Sequence, residues 1–190
     1  DQAGHGHSDH HQSGAHYHMW DGVEDLAGIV EYFTWDQVDI LGHSMGGVIS
    51  SLYAGTFPEK VRKLGLIEAL GPMANKAEAA PDNLATCIKD RLSKHNKAKP
   101  VYPKLEPVIM ARTKAIGGLS FEASKRLVNR AMQEVEGGYS WRTDPRLRYP
   151  SAVRFTEDQV QAFISKITAE CYLILGDKGM LSEKSLAPRL

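Results

Sequence analysis

Residues 41–47 read LGHSMGG and contain the spacing G-x-S-x-G as Gly42, His43, Ser44, Met45 and Gly46. The apolar run VDIL leads into the motif, and GVISSLYAG, with apolar residues one helical turn apart, leads out of it. A sharp turn between a strand and a helix lifts its central side chain above the sheet edge, where a serine hydroxyl can attack a carbonyl carbon. The amide of Met45, at the helix start, is aimed at the oxygen on which negative charge would develop. Gly42 and Gly46, two residues either side of Ser44, relieve the crowding of so tight a turn, and Gly47 completes the elbow. The chemistry implied is acyl transfer through a serine nucleophile, which also needs a base and an acid. A plainer reading is a serine capping a helix behind a glycine turn.

The second chemically conspicuous stretch is the opening, DQAGHGHSDHHQSGAHYHMW, which holds His5, His7, His10, His11, His16 and His18. A metal site would want histidines one helical turn apart with a carboxylate partner, and no H-E-x-x-H occurs. Cys87 and Cys171 lack any C-x-x-C spacing, so neither a zinc knuckle nor a disulfide framework is indicated, and both read as buried thiols. The chain has 190 residues, 42% hydrophobic and 24% charged, which suits one globular core with an inserted lobe. No apolar stretch approaches the ~20 residues of a membrane span and no basic-then-apolar start suggests a signal, so a cytoplasmic location is expected. A net charge of zero hides polarity: residues 1–58 carry eight acids and no Lys or Arg, whereas residues 89–130 carry eleven basic residues against three acids. Those cations, including Lys89, Arg91, Lys94, Lys97 and Lys99, read as a solvated helix face or as an attraction for anionic substrates.

The elements that would position the motif follow from periodicity. Val23, Leu26, Val30 and Phe33 recur at helical spacing after a capping-box-like Asp21 and Glu24, giving a helix of about thirteen residues. Strands are expected at 38–41, 64–70 and 171–176, with a helix between the first two that ends at Pro58 and another starting near Thr156. Helices alternating with continuous apolar strands imply a parallel sheet covered on both faces. After Gly71 the rhythm changes to helical segments around 84–93, 105–116 and 120–135, with no strand expected. The domain reading is core at 1–71, inserted helical cap at 72–150 and core again at 151–190.

On these residues the chain resembles the α/β-hydrolase fold, a mostly parallel sheet with helices on both faces and an inserted helical cap. DQAGHGHS is similar to that family's D-x-x-G-H-G-x-S turn, LGHSMGG to its nucleophile elbow, and FPEKVRKLGLIEALGP to the passage from elbow helix to next strand. Within the fold, GAHYHMW at 14–20 resembles a segment of the serine hydrolase-like proteins. The resemblance implies that the histidine-rich opening is a structured loop at the active-site mouth, which makes His5 a candidate pocket residue. Trp141 and Arg142, in the loop GYSWRTDPRLRYP, are candidates for pocket lining from the cap. It also implies a chain order of Ser, then acid, then His. Two acids compete: Glu68 ends the strand after the elbow, an alternative acid position in the fold, while Asp177 follows the last strand but is two positions early for the usual G-x-x-D. Each also reads as a turn-capping carboxylate, and Glu68 is favoured. His43 points elsewhere in such elbows and His95 lies in the basic lobe, so the base is expected outside residues 1–190, beyond one further strand. The second oxyanion donor is expected before Asp1. The expectation is therefore a fragment, incomplete at both ends, inactive alone and poor at folding, with VDILG, LGLIE and CYLIL forming at most a three-stranded core.

The implied function is hydrolysis of a carboxylic ester or similar acyl bond in a small-molecule substrate through a Ser44 acyl-enzyme, with no cofactor, metal or nucleic acid. Serine at position 44 excludes the dehalogenase and epoxide hydrolase branches, which need aspartate there. The alternatives are a non-catalytic binding protein of the same fold, and a metal or polyanion binder using the histidines and the basic lobe.

Overall fold

The computed structural model describes all residues except 95–97, 116, 117, 178 and 180, and all their side chains but those of Glu183 and Lys184; His95 and Lys97 therefore lie outside the described residues. In chain order the elements are α1 (Met19–Tyr32), β1 (Val38–His43), α2 (Met45–Thr56), β2 (Val61–Ile67), α3 (Ala80–Lys94), α4 (Glu106–Thr113), α5 (Phe121–Ala131), β3 (Met132–Val135), β4 (Gly138–Trp141), α6 (Glu157–Ile164), β5 (Glu170–Ile174) and α7 (Glu183–Leu186). They gather into two units. A sheet unit comprises His18–Ile88 and Ser151–Leu190, and an insertion unit comprises Asp1–Tyr17 and Lys89–Pro150.

The sheet unit is built on three parallel strands in the order β1-β2-β5. Their residues step in register, with His43 opposite Ile67 and Ile67 opposite Ile174, so all three strands end at one edge. The apolar strand positions make this possible: Leu64 and Leu66 of β2 are fully buried beneath α2, whose Tyr53 and Ala54 join Val30 of α1 and Leu186 of α7 in one core. Helix α6 starts as its sequence predicts, with a Thr156 cap and a reciprocal Gln159 contact. The other face of the strands carries Leu41, Tyr172 and Ile174, which are 72%, 50% and 53% exposed. Strand bounds shift slightly from expectation: β2 starts at Val61 and stops before Glu68, and β5 covers Glu170–Ile174. Cys87 is buried as expected, but Cys171 is exposed, on β5, which among the described residues pairs with β2 alone at the edge of the sheet.

In the insertion unit Val108, Ile109, Val128 and Met132 form a separate core lined by Tyr102, Leu105, Tyr139 and Trp141. The expectation of no strand between 72 and 150 is corrected by an antiparallel hairpin, β3 and β4. Helix α5 stops at Ala131, where Met132 turns extended at φ −102° and ψ 157°. Gly137 and Gly138 have φ of 84° and 141°, which lets the chain reverse within two residues. Gly138 also passes so close to the Tyr102 carbonyl that no side chain fits there, and Tyr102 and Tyr139 exchange two backbone hydrogen bonds of 2.8 Å.

The histidine-rich opening is a structured part of the same unit. Arg146 donates to the carbonyl oxygens of His11, Gln12 and Ala15, and the Tyr17 hydroxyl donates to Asp144 at 2.9 Å. His10 Nε2 lies 2.8 Å from the Arg142 carbonyl oxygen. Asp144, only 2% exposed, anchors this knot. Burial alone would push its carboxyl up, but hydrogen bonds from the Arg146 side chain and backbone N–H and from Tyr17, together with the Arg146 charge, outweigh burial and hold the pKa at about 2. Among the described residues no group of three or more His, Cys, Asp or Glu is placed to hold a metal ion, and no helix is long and apolar enough to cross a membrane.

Candidate active site

Ser44 stands between the last residue of β1 and the first of α2, at φ 51° and ψ −118°. The conformation is forced from both sides: its N–H continues the strand ladder to the Ile67 carbonyl at 2.9 Å, while its own carbonyl accepts the first helical bond, from Val48 N–H at 3.0 Å. A non-glycine residue in this region is strained by roughly 1–3 kcal/mol, and such strain gathers at functional positions. A Cβ at Gly42 would stand 2.7 Å from the Gly46 carbonyl oxygen and the Gly47 backbone, and one at Gly47 would stand 2.7 Å from Ala69 Cβ. Gly46 is different: its Cβ position is open, so crowding is not what calls for glycine there. Met45, as the first residue of α2, has no acceptor for its N–H within the helix, and that N–H sits at the positive end of the helix dipole.

Glu68 occupies the matching place on the neighbouring strand. It follows β2 directly, has a positive φ of 53°, and its N–H reaches the Ile174 carbonyl at 2.9 Å. Together with Thr34 and Ser44 it makes up the non-glycine residues with positive φ among those described. Its carboxylate accepts a hydrogen bond from the Gly176 N–H in the loop after β5. In that loop Gly179 holds the place where G-x-x-D would put an aspartate, and any Cβ there would run into the Glu68 carboxylate. The Glu68 carboxylate thus occupies the space that a side chain at position 179 would take.

Ser44, Met45 and Glu68 line one cleft of about 320 Å³ that lies wholly within the sheet unit. Its walls are mainly apolar and include Trp20, Leu70, Met73, Val153 and Phe155. His18 lines it too, its ring stacked on Trp20 at 4.6 Å. Two cations reach the cleft. Arg189 is paired with Glu157, whose carboxyl it holds below the usual range, and Arg154 is exposed on the wall. Asp177 is exposed and outside this lining, as is His43 at the end of β1.

The remaining pocket candidates belong to the insertion unit. His5 Nδ1 contacts the Ala3 carbonyl, Arg142 donates to the Met132 carbonyl at 3.1 Å, and Trp141 lines a cavity of that unit. Sequence reasoning missed the wall from 151 to 155, which an Asn75 N–H to Phe155 carbonyl bond of 2.9 Å draws in beside Pro72 and Met73. No periodicity marks that stretch. The alternation of apolar Val153 and Phe155 around Arg154 is its sole signal.

Comparison with known proteins agrees with this geometry. The sequence model of the alpha/beta hydrolase fold family matches residues 1–86. A probable serine hydrolase of Drosophila melanogaster is 29% identical over 189 residues, covering 96% of this chain and 57% of its own. A hypothetical protein of Pseudomonas aeruginosa PAO1, known from its crystal structure, is 40% identical with a TM-score of 0.92 over 98% of this chain and 67% of its own. The thioesterase domain from the curacin biosynthetic pathway is 26% identical with a TM-score of 0.81, over 100% of this chain and 68% of its own. The chain therefore spans somewhat more than half the length of the curated relatives it matches and about two thirds of the similar solved chains. With its parallel sheet, its strand–Ser44–helix turn and its inserted region, the chain belongs to the α/β-hydrolase fold superfamily and is related to the serine hydrolase-like proteins.

Proposed function

We propose that this protein is a serine hydrolase that cleaves a carboxylic ester, thioester or similar acyl bond, with Ser44 as nucleophile and Glu68 as the acid that orients the base. The observation that carries the reading is the pairing of Ser44 and Glu68: both are strained, both end adjacent parallel strands, and both line one apolar cleft. In the reaction Ser44 Oγ bonds to the acyl carbon and its proton passes to a histidine base. The Met45 N–H donates to the oxygen as negative charge develops there. The alcohol or thiol departs with the proton from the base, and water then attacks the acyl-enzyme by the same route. The base, a histidine in this fold, is not assigned to a residue of this sequence. Relatives with hydrolase and thioesterase names support the reaction class, and the apolar walls favour an acyl group with a hydrocarbon body.

The test is labelling and turnover in the full-length protein. A fluorophosphonate probe should label it, and Ser44→Ala should abolish both labelling and ester turnover while leaving the melting curve intact. Glu68→Gln should cut turnover by up to ~10⁴, the scale seen when a relay acid is neutralised, and Asp177→Asn should change little. Labelling that survives in Ser44→Ala ends the nucleophile assignment, and an unchanged rate in Glu68→Gln ends that of the acid.

A further inference from the structure

The insertion unit contains a cavity of about 380 Å³ that the proposed reaction does not use. Leu127, Val128 and Ala131 of α5, with Trp141 at the end of β4, form its apolar walls. Three cations open onto it, Lys99, Arg112 and Arg148, against one acid, Asp144. That acid is already occupied, since both its oxygens accept from Arg146 and one accepts from the Tyr17 hydroxyl as well. Lys99 directs its ammonium to the Trp141 and Arg142 carbonyl oxygens, each 3.1 Å away, which uses two of its three protons. Among the described residues neither Arg112 nor Arg148 makes a side-chain hydrogen bond or ion pair. Burial pushes Lys99 below its ordinary value, and Asp144 offsets this only in part. Burial thus weighs on Lys99, while Arg112 and Arg148 line the same cavity with exposed guanidinium groups, so a bound anion would offset the burial of Lys99 and give each arginine a partner.

We propose that this cavity binds an organic phosphate, with its dianionic head held by Lys99, Arg112 and Arg148 and its apolar body packed against Trp141, Leu127 and Val128. A phosphate fits better than a carboxylate. Two guanidinium forks and an ammonium offer more charge and more donors than one carboxylate takes up, whereas three phosphate oxygens can engage all of them. The volume, at the small end of ligand cavities, suits a head group and a body about the size of one ring. The cavity shares no lining residue with the Ser44 cleft, so the binding test can fail without bearing on the hydrolase reading.

The experiment is calorimetric titration of the full-length Ser44→Ala protein with phenyl phosphate, with benzoate, inorganic phosphate and phenol run alongside. Phenyl phosphate should saturate one site, bind more tightly than either benzoate or inorganic phosphate, and weaken as salt is raised; phenol should not saturate. The double variant Arg112→Gln, Arg148→Gln should weaken phenyl phosphate at least about tenfold, from the loss of two charge-assisted contacts. Both side chains are exposed, so its melting curve should match the parent; should it not fold, Arg148→Gln alone must still weaken binding. Absence of saturation, unchanged affinity in the arginine variants, or equal affinity for benzoate or inorganic phosphate would overturn the proposal. So would a loss of binding in Arg154→Gln, which would place the ligand in the Ser44 cleft.

Discussion

Replacing Asp144 by asparagine tests the account of the histidine-rich opening, because that one carboxylate ties residues 10–17 to the segment around Arg146. The magnitude follows from its ionisation. The carboxyl is lowered from an ordinary 3.8 to about 2, and each pKa unit is worth ~1.4 kcal/mol, so the ionised form contributes on the order of 2–3 kcal/mol to folding. The group is almost fully buried, so solvent screening takes little from that figure. A depressed carboxylate pKa stabilises above the unfolded value and loses that contribution as pH falls toward the folded value. The window therefore runs from about pH 4 down to about pH 2, and by about pH 3 roughly 1 kcal/mol has gone. Asp144→Asn should cost about 2–3 kcal/mol or more at neutral pH, since it also leaves Arg146 with an unpaired charge. Urea unfolding of both proteins at about pH 7 and about pH 3 measures this, with hydrogen exchange at residues 5–17 reporting where the loss falls. A cost below about 1 kcal/mol at neutral pH, or a gap between the two proteins that does not narrow on acidification, would refute the reasoning.

Two further substitutions probe the elbow and the acid. Gly42→Ala drives a methyl group into the Gly46 carbonyl and the Gly47 backbone, so it should cost roughly 1–3 kcal/mol and abolish fluorophosphonate labelling; a labelled variant of parental stability would show that the elbow has more room than the structure gives it. Gly179→Ala crowds the Glu68 carboxylate without touching Ser44, so turnover should fall about 10²-fold, the cost of misplacing a catalytic group by about an ångström, while labelling persists. An unchanged rate there would show that the Glu68 carboxylate gives way to the methyl group without loss of function.

What was legible beforehand was what neighbouring residues decide among themselves. The motif at Ser44, the run VDIL before it and the helical spacing after it lie within some twenty residues, and their combination specifies a strand, a turn and a helix with little help from the rest of the chain. The Thr156 cap was readable for the same reason. The hairpin was not. Met132–Val135 continues the residue pattern of α5, and its strand character comes from partners three to nine residues on and from the bridge between Tyr102 and Tyr139. Cys171 has a strand sequence that says nothing about which side of the sheet is open.

The sequence by itself determined the superfamily, the nucleophile candidate and a pair of competing acids, because a tight turn and amphipathic periods are local properties. Only the tertiary structure places the two carboxylates differently, Glu68 in the lining of the Ser44 cleft and Asp177 outside it. Parallel pairing brings the end of β2 beside the loop after β5, and the carboxylate of Glu68 then fills the room that Gly179 leaves, across more than a hundred residues of chain. The histidine-rich opening was settled in the same way: its partners, Arg142, Asp144 and Arg146, lie some 130 positions downstream. Such contacts arise from the packing of elements whose spacing along the chain carries no record of it, so a buried carboxylate and the cleft wall at 151–155 become visible only once the chain is folded.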